Sequence, residues 1–208
     1  MYTPDAFTET DPAEIDAMIA AARLGVLITH GRDGLNATHL PFLYDAEHKT
    51  LTGHVARANP HPAMAGGGDD ALVVFSGPDA YVSPRWYRST AGDQRHVPTW
   101  NYEAVHVCGR LTWFEDGDAL RSTVQRLTER HETHIVPPWS VDEADPAYVE
   151  RLLGAIVGVR VEITRIEAKR KLSQNRSAAD RGAVIAALEA SDDARDRELA
   201  TRMRTLKT

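Results

Sequence analysis

Only one cysteine, Cys108, occurs among the 208 residues, so an internal disulfide is excluded. Long apolar runs are missing too. Runs such as Ala20-Ala21-Ala22 and Leu72-Val73-Val74-Phe75 fall far short of the roughly 20 residues that cross a bilayer. The first residues, Met1-Tyr2-Thr3-Pro4-Asp5, carry neither the basic start nor the apolar stretch of a signal peptide. There is no internal repeat, low-complexity tract or long linker. These absences lead to the expectation of a soluble, cytoplasmic protein with no membrane association. What is present suits a globular chain: 42% of the residues are hydrophobic, enough for a real core in one or two domains.

An excess of positive charge is also absent. Lysine and arginine number 24 against 30 aspartates and glutamates, a net charge of −6 with neutral histidines. Affinity for a phosphate backbone is mostly electrostatic, so such a chain binds nucleic acid only where its cations gather on one surface. One strip does gather them. Arg165, Lys169, Arg170, Lys171, Arg176 and Arg181 stand with only Glu167 and Asp180, leaving the remainder of the chain strongly acidic. A single strip on an acidic body suits a small anionic ligand at least as well as DNA.

Asp11-Pro12-Ala13-Glu14 reads as an N-cap, a first-turn proline and a glutamate reaching back, opening a helix from Pro12 to about Leu24. Strand-length runs follow at Val26–Thr29, Leu35–Tyr44, Thr50–Ala56 and Leu72–Phe75, with turns at Gly31–Gly34 and Asp45–Lys49. They predict an antiparallel meander. Ala80–Val82, Ala104–Phe114 and the alternating Val157–Ile166 predict further strands, and Gly66-Gly67-Gly68 reads as a flexible turn. Leu120, Val124 and Leu127 mark one helix; Val149, Leu152, Leu153 and Ile156, opened by Asp145-Pro146, mark another. In the tail, Val184, Ile185, Leu188, Leu199, Met203 and Leu206 fall on one stripe of two short helices hinged near Ser191. Six acids and six bases balance there, so a DNA-binding helix-turn-helix finds no electrostatic support. Many short strands with few helices predict a mainly β, α+β protein: a β-barrel decorated by peripheral helices.

Three segments concentrate donors. Thr52-Gly53-His54-Val55-Ala56-Arg57-Ala58-Asn59-Pro60 closes a strand with an imidazole, a guanidinium and an amide that can converge on a phosphate if the chain turns there. Asn36-Ala37-Thr38-His39-Leu40-Pro41 has small and polar residues where a buried strand would carry Val or Ile, which leaves backbone open to a planar ring. Lys171-Leu172-Ser173-Gln174-Asn175-Arg176 offers donors for phosphate oxygens or for the carbonyls of a flavin. Solvated strand ends and a polar helix start are the plainer alternatives for these stretches. The segments around Tyr81, Trp86, Tyr87 and Trp100 are dense in aromatics and prolines, which suits a pocket wall or an interface. No metal site is expected: His131 and His134 lack the spacing of the zinc-protease helix, and His106 with Cys108 makes only two ligands. No catalytic nucleophile can be assigned.

Together, Met1-Tyr2-x-Pro4-x-x-Phe7, Ala37–Pro41, Gly53–Pro60, Gly77-Pro78-x-Ala80-Tyr81-Val82-Ser83-Pro84-x-Trp86-Tyr87, Val97–Tyr102 and Lys171–Arg176 resemble the PaiB family, the FMN-binding negative transcriptional regulators. The match runs in order from Met1 to about Leu188. It implies a split β-barrel of the FMN-binding type over residues 1–176. A C-terminal helical extension over 177–208 would pack on the barrel or on a partner, in a homodimer with FMN at each subunit interface. By position, the resemblance puts His54, Arg57 and Asn59, with Val55 and Ala56 between them, around the FMN phosphate. Thr38, His39, Leu40 and Pro41 would line the isoalloxazine ring, Lys171, Gln174 and Asn175 would complete the polar end, and Trp100 and Asn101 would close the pocket. The implied function is a flavin-dependent sensor. The alternatives are an NAD(P)H:flavin reductase-like oxidoreductase or a haem-binding split-barrel enzyme.

Overall fold

The computed structural model describes residues 1–32, 34–65, 70–92 and 95–206, within which the chain forms eight strands and six α-helices. The strands are β1 (Thr8–Glu9), β2 (Gly25–Gly31), β3 (Gly34–Leu40), β4 (Leu43–Asp45), β5 (Thr50–Ala56), β6 (Asp70–Val82), β7 (Thr99–Phe114) and β8 (Ile156–Lys171). The helices are α1 (Pro12–Ala21), α2 (His61–Met64), α3 (Gly117–Glu132), α4 (Pro146–Leu153), α5 (Ala178–Glu189) and α6 (Ala194–Thr205). The sheet runs β3-β2-β6-β7-β8-β5-β4, with β1 added on β8, and the β1–β8, β2–β3, β2–β6, β4–β5 and β5–β8 pairs are antiparallel. The chain divides into two units, one comprising Met1–Ala21, Ser76–Val105 and Glu167–Thr208, the other Ala22–Phe75 and His106–Ile166.

In the second unit, β2 and β3 form a hairpin that pairs Gly25 with Leu40 and Gly31 with Gly34. Gly34 has φ of +108°, a backbone that residues with a Cβ avoid. Asp33 of the expected turn, and the Gly66-Gly67-Gly68 turn, lie outside the described residues. The run expected as one strand over Leu35–Tyr44 breaks at Pro41-Phe42, because proline has no N–H for the ladder. Thr50–Ala56 forms as expected and pairs with β4 across the Asp45–Lys49 turn, but its other edge pairs with β8, while β6 returns to β2. The sheet is therefore not sequential, a crossing that local patterns do not encode. Asp116 and Asp145 cap α3 and α4 by accepting from Ala119 N and Tyr148 N. Leu120, Val141, Val149 and Leu153 form a small core there, with Phe114, Val124 and Ile156 at its margin.

In the first unit, Asp11 caps α1 through Ala13 N at 2.9 Å. The expected reach of Glu14 back to this cap does not occur: Asp11 N donates to Glu9, and Glu14 pairs with Arg170. Leu72–Phe75 and Ala80–Val82 are parts of one strand, β6, which passes through Gly77-Pro78. A side chain at Gly77 would come within 2.9 Å of Glu103 Cβ, so the glycine marks a close approach rather than a break. Both tail helices form, and their stripe is the core of this unit. Val184, Leu188, Leu199, Ala200 and Met203 are completely buried together with Ala80, Val82, Tyr87 and Leu172. Burying a Leu, Val or Met side chain is worth about 1.5–3 kcal/mol, which explains why so charged a tail folds.

Candidate functional site

β3 ends the strand order, so among the described residues one of its edges, that facing β2, is laddered. Its residues alternate: Leu35, Ala37 and His39 are exposed, whereas Asn36 and Thr38 are half-buried and Leu40 is buried. β5 packs closely on the segment that follows. A Cβ on Gly53 would stand 2.7 Å from the carbonyl oxygen of Pro41, so only glycine permits this approach. The loop after β5 then returns to β3, where Asn59 Nδ2 donates to Thr38 Oγ1 at 3.4 Å while Asn59 Oδ1 accepts from His61 N at 2.9 Å. His61 is 2% exposed. Its Nδ1 lies 2.8 Å from Thr38 Oγ1, its Nε2 lies 2.9 Å from Thr29 Oγ1, and its ring meets Trp113 edge-on at 5.7 Å. Burial pushes the His61 pKa down, keeping the ring neutral near pH 7.

The end of β5 presents its residues in two directions. Val55 points into the core, while His54 is half-buried and Ala56 is exposed. His54 pairs with Gly158, over which the Phe114 ring lies so closely that a Cβ would come within 2.2 Å of it. His54 Nδ1 is buried without a partner, and burial lowers this pKa as well. Arg57 is committed elsewhere than to an open fork: its guanidinium donates to Gly154 O at 2.8 Å, Glu115 Oε2 at 2.9 Å and Ile156 O at 3.2 Å. Both members of the Arg57–Glu115 pair are well exposed, and such surface pairs exchange partners at little cost.

The remaining expected site residues belong to the other unit. Lys171 closes β8 and donates to Thr99 Oγ1 at 2.5 Å and to the Trp100 carbonyl. Burial, and the positive charges of Lys169 and Arg176, hold its pKa below the usual lysine value. Trp100 is 54% exposed and meets Tyr81 edge-on. Asn101 is buried and donates to Ser173 Oγ at 2.9 Å and to Met203 Sδ at 3.6 Å. These bonds hold Ser173 at φ of 62°, a left-handed conformation uncommon for serine. Gln174 braces the same turn, accepting from Leu172 N at 2.7 Å and donating to the Arg170 carbonyl, whereas Asn175 is exposed.

The structure thus joins Thr38, Pro41 and Asn59 beside β5 in one unit, and Trp100, Asn101, Lys171 and Gln174 in the other. Sequence reasoning missed His61, because it stopped at Pro60. An imidazole two residues after an amide, next to strands carrying Thr29 and Thr38, was the available signal. It also missed the buried pair of Arg170 and Glu103, 2.7 Å apart, since Arg170 read as one more member of a solvated strip. Among the described residues, no three His, Cys, Asp or Glu side chains converge as a metal site.

Comparison with known proteins fits this architecture. A family model described as "Putative FMN-binding domain" matches residues 1–165. The chain is 34% identical over 205 residues to protease synthase and sporulation protein PAI 2 of Bacillus subtilis, covering 98% of this chain and 96% of that one. It is 31% identical over 237 residues to an uncharacterized protein of Aspergillus fumigatus, with 91% of each covered. Among solved structures, the flavocytochrome Anf3 of Azotobacter vinelandii aligns with a TM-score of 0.61 at 14% identity, over 92% of this chain and 75% of that one. The FAD and heme binding protein of Mycobacterium smegmatis gives 0.61 at 15% identity, over 85% and 78%. At such identities the likeness shows a shared fold, here a mainly antiparallel sheet with several helices. No helix among the described residues is long and apolar enough to cross a membrane. By the extent of the family match and of the identity to the Bacillus protein, the chain belongs to the PaiB family of FMN-binding proteins, with FMN as its cofactor.

Proposed function

We propose that this chain holds FMN in a split β-barrel, works as a cytoplasmic homodimer and serves as a flavin-dependent sensor in negative control of transcription. The observation that carries the reading is the open edge of β3, with Thr38 and Asn59 joined beside it. The residues there fit the group. Small side chains leave backbone exposed to a flat ring, Thr38 and Asn59 supply neutral polar contacts, and His54 Nδ1 is a buried atom lacking a partner that a ligand would satisfy. Arg57 would turn from Glu115 to the phosphate, since a bidentate guanidinium–phosphate contact is stronger than an exposed ion pair. Lys171, Gln174 and Asn175 are assigned to the polar end of the flavin, and Trp100 and Asn101 to closure of the pocket. Bound FMN would supply redox chemistry; the protein supplies position, exclusion of water and polar contacts.

Self-association is supported by the outward face of β2, β3 and β6. Val26, Ile28, Leu72 and Val74 are only half-buried there, and Leu35 is 76% exposed. Direct DNA binding has no such support, given the net charge of −6, so regulation is proposed to run through a partner or a redox signal.

Fluorescence titration with FMN and riboflavin, together with sizing of the complex, tests the reading. Saturable binding that depends on the phosphate, by a dimer, is expected; no binding, or a haem band in the purified protein, would overturn it. The second reading, an oxidoreductase in which a nicotinamide meets the flavin, predicts NAD(P)H oxidation above that of free FMN. Tight gel-shift retardation with a steep salt slope would instead make the protein a direct DNA binder.

A further inference from the structure

We propose that His61 is a positioning residue for the cofactor: it clamps the open edge of β3 through Thr38 and fixes Asn59 against it. The inference rests on the flavin reading above and adds a residue that the reading does not use.

Among the described residues β3 is laddered only to β2, so no strand ladder holds its outer edge. His61 supplies a side-chain anchor. Its ring bridges a hydroxyl on β2 (Thr29, 2.9 Å) and one on β3 (Thr38, 2.8 Å). Its own backbone N–H, meanwhile, holds Asn59 Oδ1 at 2.9 Å, which turns the Asn59 amide toward Thr38 Oγ1. Two of the residues assigned to the cofactor therefore meet on His61, Thr38 through the ring and Asn59 through the backbone N–H. The arrangement has a direction. A neutral ring has one donor and one acceptor nitrogen. With hydrogen on Nε2, Thr38 accepts from Asn59 and donates to Nδ1, and Nε2–H donates to Thr29, so every polar group is used. With hydrogen on Nδ1, both Asn59 and His61 donate to Thr38, and the Thr38 hydroxyl hydrogen is released for an acceptor on a ligand. Burial, which disfavours the charged ring, confines His61 to these two states. In either one Thr38 is held; only the tautomer changes whether it can give a hydrogen bond outward.

A double-mutant cycle on the full chain, read by FMN fluorescence titration, tests this. Thr38→Val and His61→Leu are each expected to weaken FMN roughly tenfold, the size of one good hydrogen bond to a fixed group. The double variant is expected to be no weaker than His61→Leu, because His61 acts through Thr38. His61→Asn, which restores an amide near the position of Nδ1, should recover most of the affinity. The melting temperature of each flavin-free variant separates positioning from folding. If His61→Leu lowers it while the two losses in affinity add and Asn fails to rescue, His61 is a core residue only and the proposal is wrong. An unchanged FMN affinity in His61→Leu would equally overturn it. Failure of the unsubstituted protein to bind FMN is a different result: it removes the flavin reading and this inference together.

Discussion

The buried ring of His61 is bonded to two neutral hydroxyls, whereas the buried guanidinium of Arg170 in the other unit is bonded to three carboxylates. Arg170 is nearly enclosed and meets Glu103 at 2.7 Å, Glu14 at 3.0 Å and Glu9 at 3.3 Å, while Arg202 approaches Glu103 at 3.7 Å. Burial works against its charged form, but the hydrogen bond and charge of Glu103, with Glu9 and Glu14, outweigh this and raise its pKa. Such a network ties the N-terminal segment, β7, β8 and α6 into one arrangement, and a change of partner would strand a charge in a poorly solvated place. The imidazole and hydroxyls around His61 can instead reverse donor and acceptor without moving net charge. The first cluster is built to stay as it is, and the second can adapt to what lies beside it.

The largest effect should come from breaking the charged cluster. Arg170→Met leaves Glu103, 2% exposed, without its main partner, and should cost about 3–5 kcal/mol in urea unfolding. A loss below about 1 kcal/mol would mean that the carboxylates take up protons or water easily, and the contrast would collapse. Arg57→Ala tests whether the neutral region borrows a cation for the phosphate. FMN should weaken roughly tenfold with riboflavin little changed, and Glu115→Gln should strengthen FMN by about two- to threefold by freeing the guanidinium. Equal losses for both flavins would remove Arg57 from the phosphate and leave that region without any charge of its own.

Acid should separate the regions next. His54 and His61 both have pKa values lowered in the folded state, so the unfolded chain binds more protons below its histidine pKa of about 6.5. Their contribution is complete above that pH and is lost as pH falls below it. Melting temperature should therefore decline from about pH 6.5 downward, and His61→Asn should flatten this limb. A limb that begins only in the carboxylate range would assign acid sensitivity to groups such as Asp180, whose pKa is lowered by the backbone and side-chain hydrogen bonds of Ser89. The smallest effect is expected for Lys171→Ala: a loss of FMN affinity of about two- to fivefold, because its ammonium already has Thr99 and the Trp100 carbonyl as partners. An unchanged affinity would make Lys171 a strand-end anchor.

Local chemistry was legible in the sequence wherever one residue decides it. Asp11 and Asp145 cap the helices they were expected to open, and the stripe of Val184, Leu188, Leu199 and Met203 is buried. Connectivity was not, because the pairing of β5 with β8 joins residues about a hundred positions apart, and no local pattern encodes it. Leu72–Phe75 and Ala80–Val82 read as two strands for a related reason, since Gly77 between them answers to Glu103 on a neighbouring strand. Types of side chain at the candidate site could be read, but their partners could not. Arg57 looked like an unpaired fork until Glu115, Gly154 and Ile156 surrounded it, and Asn101 looked like a pocket wall although it braces Ser173 from within the core.

The short connection between α5 and α6 has a practical consequence. Asp192 and Asp193 are exposed there, as a protease prefers, yet the residues beyond them include Leu199, Ala200 and Met203, which have no solvent exposure. A single nick in that link would free α6 together with the residues after it, and its departure uncovers Leu188, Val184 and Leu172, next to Lys171. Resistance of the link to limited digestion is therefore a gauge of whether the whole first unit is intact, and a shortened chain ending near Ser191 should be sticky and short-lived.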